Sequence, residues 1–124
     1  IPNLIVPGVK EALQKTSAKI YFTINIMTKF GETHNFTGKD FVINLENRLG
    51  RKIDGIIVNK TKPIKKILDN YLEQKSQFVA IDTTDQFWDS RETHMEDCLD
   101  INSIIVRHAP KKLARVVQKI ISKN

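Results

Sequence analysis

Arg107 and His108 stand just before Pro110, and Pro110 opens a run in which Leu113, Val116, Val117, Ile120 and Ile121 recur at helical spacing. Proline suits the first helical position because its φ is already fixed and that position needs no N–H. The first-turn N–H groups of such a helix point outward. A guanidinium beside them could complete a site for a phosphate or carboxylate, with His108 adding a donor. The competing reading has Arg107 merely pairing with a carboxylate on the surface. A second concentration of polar side chains runs from Thr28 to Asp40, through Gly31, Glu32, Thr33 and Phe36. It exceeds the roughly two to six residues of a simple connection, and long polar loops tend to carry function. Asn59, followed by Lys60, Thr61 and Lys62, closes another apolar run. Tyr71 shares the spacing of Ile64, Ile67 and Leu68, which suits a core position or a helix edge offering its ring or hydroxyl.

These residues need elements to hold them. Ile53 to Val58 and Ile104 to Val106 are apolar on both faces and rich in β-branched residues, as strands inside a parallel sheet should be. Lys19 to Met27 and Phe78 to Ile81 read as two further strands. Helices are expected from Val9 to Thr16, through Phe41, Leu45 and Leu49 with Gly50 as the stop, through Ile64 to Leu72 with Pro63 opening the helix at its first position, and from Pro110 onward. Thr83 to Ser103 reads as a long excursion with room for a short helix, anchored on the sheet by Phe87 and Trp88. Strands alternating with helices predict an α/β unit spanning residues 1–124, with a mostly parallel sheet covered on both faces. In such sheets ligands bind beyond the carboxyl ends of the strands. That rule places the Thr28 to Asp40 crossover, Asn59 and Arg107 at one rim.

Composition narrows the classes. The 124 residues are 40% hydrophobic and 27% charged, which is ordinary globular usage and argues against disorder or coiled coil. The single cysteine, Cys98, excludes an intramolecular disulfide framework and fits the cytoplasm. No apolar run approaches the roughly 18 residues of a membrane span. Twenty basic against 14 acidic residues give +6, which suits a phosphorylated ligand. The same charge could serve a basic, non-catalytic interaction domain, but no nucleic-acid motif or stacking ladder accompanies it. His94 and Cys98 are four apart with no second pair to complete a metal site, so no metal ligands are assigned. The five glycines form neither a dinucleotide fingerprint nor a Walker loop, so a nucleotide pyrophosphate has no cradle within these residues.

The stretch Asn25 to Thr37 (NIMTKFGETHNFT) resembles the signature N-x-M-T-Q-P-G-E-T-x-G-F-T of the bacterial gluconeogenesis factors, the YvcK-like proteins. Asn3 to Gly8 is similar to that family's N-L-L-V-P-G, and Ile53 to Asn59 to its I-D-x-V-x-V-N strand. Arg107 to Ala114 is similar to its R-H-D-P-x-K-L-A ending. The likeness is colinear through nearly the whole chain and covers the closing part of a typical member, so a C-terminal portion of a larger domain is expected. It implies a Rossmann-like three-layer sandwich, shared with the CofD-like 2-phospho-L-lactate transferases, which act with Mg2+. Gluconeogenesis factors, by contrast, are thought to bind UDP-sugars such as UDP-N-acetylglucosamine and to regulate carbon flow into cell-wall precursors and hence cell shape.

Carried over by position, the resemblance puts Asn25, Thr28, Gly31, Glu32, Thr33 and Phe36 along a ligand cleft, with Asn59 and His108 beside it. Arg107 would hold a phosphate and Tyr71 would flank the nucleotide. Lys29 and Phe30 replace Gln-Pro, Asn35 replaces Gly, Phe41 stands in place of a histidine, and Ala109 replaces the aspartate. These departures alter loop stiffness and charge at that cleft. The leading expectation is a cytoplasmic nucleotide-sugar-binding regulator. A deazaflavin-pathway phospholactyl transferase and a basic interaction domain are the alternatives. The expected partners are a phosphorylated nucleotide and the N-terminal part of the same protein, with self-association left open. Neither a membrane nor nucleic acid is expected.

Overall fold

The computed structural model describes residues 2–123. Helix α1 (Val9–Lys15) precedes strand β1 (Tyr21–Thr23), and α2 (Gly38–Leu49) leads to β2 (Gly55–Asn59). Helix α3 (Lys65–Glu73), strand β3 (Glu92–Glu96) and α4 (Pro110–Lys123) follow. Short 3-10 turns cover Pro2–Ile5 and Gln86–Ser90. The sheet has the order β1-β2-β3, and both pairings are parallel. This is the α/β architecture with a parallel sheet that the sequence predicts.

β2 is buried along its whole length because it is the central strand. Its alternation divides the core, as a period of two requires. Ile56 and Val58 join Phe41, Val42 and Leu49 of α2 on one face, whereas Ile57 meets Val116 and Ile120 of α4 on the other. α2 starts at a capping box, in which Thr37 Oγ1 accepts from the Asp40 N–H and the Asp40 carboxylate accepts from the Thr37 N–H. It stops at Gly50, whose φ of 78° belongs to the left-handed region.

Four expectations are corrected. Ile104 to Val106 is not a strand. These residues belong to a hairpin-like loop closed by the antiparallel Leu99–His108 bridge, and Ile104 and Ile105 face solvent instead of a sheet neighbour. Phe78 to Ile81 forms no strand either and makes one isolated antiparallel bridge, Phe78 to Met27. The strand expected over Lys19 to Met27 is confined to Tyr21–Thr23, after which Ile24 and Ile26 turn into the interior. Pro63 lies one residue before the N-cap Ile64, outside α3.

The missed strand, β3, has the sequence ETHME. An edge strand lacks a neighbour on one side and needs no continuous apolar run, so its polar side chains hid it. Gly55 explains how it is tied in. A Cβ on Gly55 would lie 2.6 Å from Tyr21 Cε2 and 2.7 Å from the Glu92 carbonyl oxygen. Its absence lets the Tyr21 ring cross β2 and donate its hydroxyl to the Glu92 carboxylate on β3. Ahead of β3, Trp88 is buried in the core beside Phe87, as expected for anchors of this segment. Arg91 and Glu46 of α2 form a nearly dry ion pair there, with side chains 6% and 13% exposed.

Candidate functional site

Two adjoining depressions lie beyond the carboxyl end of β1. The smaller, about 320 Å³, is walled by Asn25, Ile26 and Met27 on one side and by Val106, Arg107 and His108 on the other. The larger, about 430 Å³, lies over α2 and β1, between Glu32, Thr33 and Phe36 of the crossover and Phe41, Asn44 and Arg48 of the helix. Asn25 lines both, so it joins the crossover to the Arg107 side. Asn25, Glu32, Thr33, Phe36, Arg107 and His108 therefore border one continuous stretch of surface.

Other expected site residues lie elsewhere. Thr28 is buried. Its N–H donates to the Gln77 carbonyl at 2.8 Å, its Oγ1 accepts from the Gln77 N–H at 2.9 Å, and its carbonyl accepts from the Ser76 hydroxyl. It latches the start of the crossover to the chain leaving α3. Asn59 is buried at the end of β2, where its Oδ1 accepts from the N–H groups of Thr61 and Cys98 and its Nδ2 donates to the Thr61 carbonyl. It thereby pins the turns that follow β2 and β3. Neither side chain reaches the rim. Gly31 supplies a φ of 85° within the crossover turn and lines neither depression. Tyr71 sits half-buried on α3, and its hydroxyl accepts the Val106 N–H at 2.9 Å. Its observed task is to hold the backbone next to Arg107.

Arg107 arrives at the rim through this loop, not from a strand end. Its side chain is 63% exposed, and its Nε donates to the Asp100 carboxylate at 2.9 Å. That bond, reinforced by the Asn102 N–H, holds the Asp100 carboxyl below the usual carboxylate range. The pairing with a carboxylate foreseen as the alternative for Arg107 is present. It engages Nε, and the Nη1–Nη2 edge of a guanidinium is itself a bidentate surface for phosphate. Just behind, Lys112 donates to the Asp97 carboxylate and the Leu99 carbonyl, fixing the first turn of α4 against the base of the loop.

His108 is the chemically unsettled member. Its Nε2 is buried without a hydrogen-bond partner, and burial lowers the imidazole below its ordinary 6.5. An unpartnered ring nitrogen on a residue that lines a depression is an open valence, since buried polar atoms are nearly always paired. The metal test is less favourable. Among the described residues no three His, Cys, Asp or Glu side chains gather to hold an ion, and Asp100 is committed to Arg107.

Sequence reasoning missed Asn44 and Arg48. They lie on the exposed face of α2 and bond to each other at 3.0 Å while lining the larger depression. Their i, i+4 spacing on the helix opposite the crossover was the available signal. Asp100 was also missed, because nothing in its local pattern marks a partner seven residues away.

Relatives add the remaining information. A "Putative gluconeogenesis factor" of Thermotoga maritima is 35% identical over 123 residues, covering 97% of this chain and 39% of the relative. One of the same description from Aquifex aeolicus is 33% identical over 122 residues, covering 98% and 37%. The chain thus spans well under half the length of the curated relatives it matches. A crystal structure from Bacillus halodurans, described as a member of the UPF0052 family, superposes with a TM-score of 0.84 at 24% identity. It covers 94% of this chain and 38% of that one, and it supports the Rossmann-like α/β fold. The family model described as 2-phospho-L-lactate transferase CofD matches residues 1–99, and the chain belongs to that CofD family, alongside relatives described as gluconeogenesis factors.

Proposed function

We propose that this chain supplies part of a nucleotide-sugar site in a gluconeogenesis-factor-type regulator, with a UDP-sugar such as UDP-N-acetylglucosamine as ligand. The observation that carries the reading is the depression in which Asn25, Ile26 and Met27 face Val106, Arg107 and His108. It combines an exposed guanidinium, a helix N-terminus immediately behind it and an unsatisfied imidazole nitrogen. Those three groups suit a phosphate oxygen set better than an apolar guest. The adjoining depression, with Phe36 and Phe41 stacked edge to face at 5.2 Å, offers an aromatic wall to the rest of the ligand. The glycine-poor sequence gives no pyrophosphate cradle, so the remaining contacts would come from elsewhere in the protein.

Calorimetry with UDP-N-acetylglucosamine on the complete protein tests this. The wild type should bind without consuming the ligand, and Arg107→Ala should weaken binding about tenfold, as expected for a largely exposed charge-assisted contact. Unchanged affinity in that variant removes Arg107 from the site. The match to the transferase family model supports a second reading, a phospholactyl-type transferase using the same rim. Magnesium-dependent turnover of a phospholactyl nucleotide by the complete protein would favour it.

A further inference from the structure

The loop closed by the Leu99–His108 bridge carries Ile101, Ile104 and Ile105, which are 71%, 85% and 61% exposed. Ile64, 66% exposed, reaches the same place from the chain before α3. The two segments share an apolar hollow of about 260 Å³, in which Pro63, Ile64 and Ile67 face Leu99, Ile101 and Val106. Isolated exposed isoleucines need no explanation, but Ile64 and Ile101 line this hollow while Ile104 and Ile105 protrude from the same loop, and together they form a patch of the kind that marks an interaction surface.

The loop is held from below. The Asp100 N–H donates to the Arg107 carbonyl, the Ala109 N–H donates to the Cys98 carbonyl, and the Val106 N–H donates to the Tyr71 hydroxyl. Its apolar tip is therefore presented on a fixed base.

Around Ile64 the sequence runs Lys60-Thr61-Lys62-Pro63-Ile64-Lys65-Lys66. All four lysines are exposed, and Lys65 makes only a loose ion pair with Asp69 at 3.7 Å. The acids beside the loop are already engaged, Asp100 with Arg107 and Asp97 with Lys112. The patch thus combines protruding apolar side chains with an excess of positive charge. A second copy packed by a two-fold axis would bring the two lysine sets together, which disfavours self-association here. A negatively charged surface with an apolar interior satisfies both features at once.

We propose that the Leu99–His108 loop and the 60–66 segment form a peripheral docking surface for an anionic lipid bilayer. The isoleucines enter the interface while the lysines lie at the headgroups. The expectation of no membrane partner rested on the lack of a spanning run, which does not bear on surface attachment. This surface adjoins the Asn25–Arg107 rim, since Val106 lines both hollows, but its test does not depend on nucleotide binding.

The test is co-sedimentation of the complete protein with vesicles of phosphatidylcholine alone, and with vesicles of phosphatidylcholine and phosphatidylglycerol in equal parts. The protein should pellet only with the second, and added salt should release it. The double variant Ile104→Ser with Ile105→Ser should lower partitioning about tenfold, because binding scales with the apolar area inserted. Lys62→Glu with Lys65→Glu should lower it at least as far. Both sets are exposed, so their melting temperatures should match the wild type. Wild-type protein that stays in the supernatant overturns the proposal and leaves an acidic protein partner as the reading of this surface. Vesicle binding that ignores the isoleucine changes overturns it as well. So does a marked loss of thermal stability in the isoleucine variant, which would mean that those side chains are covered inside the protein or its assembly.

Discussion

Glu46→Gln should break the nearly dry ion pair that ties α2 to Arg91. Glu46 Oε1 accepts from Arg91 Nη2 at 2.5 Å, and its Oε2 accepts from Arg91 Nε at 3.0 Å and from the Ile53 N–H at 2.9 Å. Arg91 also donates to the Phe87 carbonyl at 2.7 Å and stacks on the Phe87 ring. The amide keeps the volume but removes the charge, and its NH2 group would face the guanidinium donors. Arg91 is then left as a buried cation without a counter-ion. Breaking such a pair costs about 3 to 5 kcal/mol. In a chain of this size that lowers the melting temperature by about 10 to 20 °C. Urea unfolding followed through Trp88, the single tryptophan, measures it directly. Replacing both partners by apolar residues of similar volume should recover much of the loss, because the desolvation cost disappears with the charges. A Glu46→Gln loss below about 1 kcal/mol would refute the reasoning, since it would mean that water already screens the pair.

Gly55→Ala should destabilise the protein by about 1 to 3 kcal/mol in the same assay, because the new methyl meets the Tyr21 ring and a fixed Glu92 carbonyl. Unaltered stability would show that Tyr21 moves aside freely. Thr28→Val should cost about 1 to 3 kcal/mol by stranding the Gln77 N–H, and faster amide exchange across the crossover should accompany it. For His108, burial holds the folded pKa below 6.5, so the folded state binds this proton less readily than the unfolded state. Its contribution to stability is complete above that value and is lost as the pH falls through the folded pKa. His108→Asn should flatten that slope in urea midpoints taken across the range.

The helices and the central strand were legible in the sequence because each carries its own local signal. α2 has its capping box and its terminal Gly50, α4 has Pro110 and a clean apolar stripe, and β2 is apolar on both faces. The errors fell where that signal was misleading. Ile104, Ile105 and Val106 have strand composition without a strand's neighbours, and β3 has strand neighbours without strand composition. Pairing is a tertiary property, and propensity yields to it. The site was partly legible. That the crossover, Arg107 and His108 share a rim followed from the rule that ligands lie beyond strand ends, even though Arg107 reaches that rim by a loop, whereas Asn25 was marked only by the family resemblance. That Thr28 and Asn59 turn inward was not legible, because a polar residue at a strand end can serve the rim or brace the turn with the same local sequence.

In the proposed function one rim gathers two distant stretches of chain around a phosphorylated ligand. Nuclear magnetic resonance titration of the complete protein with UDP-N-acetylglucosamine tests that most directly. Saturable shifts are expected at the amides of Asn25 to Met27 and of Val106 to His108, with one shared dissociation constant. Shifts confined to either stretch alone, or absent from both while the ligand binds elsewhere, would contradict it.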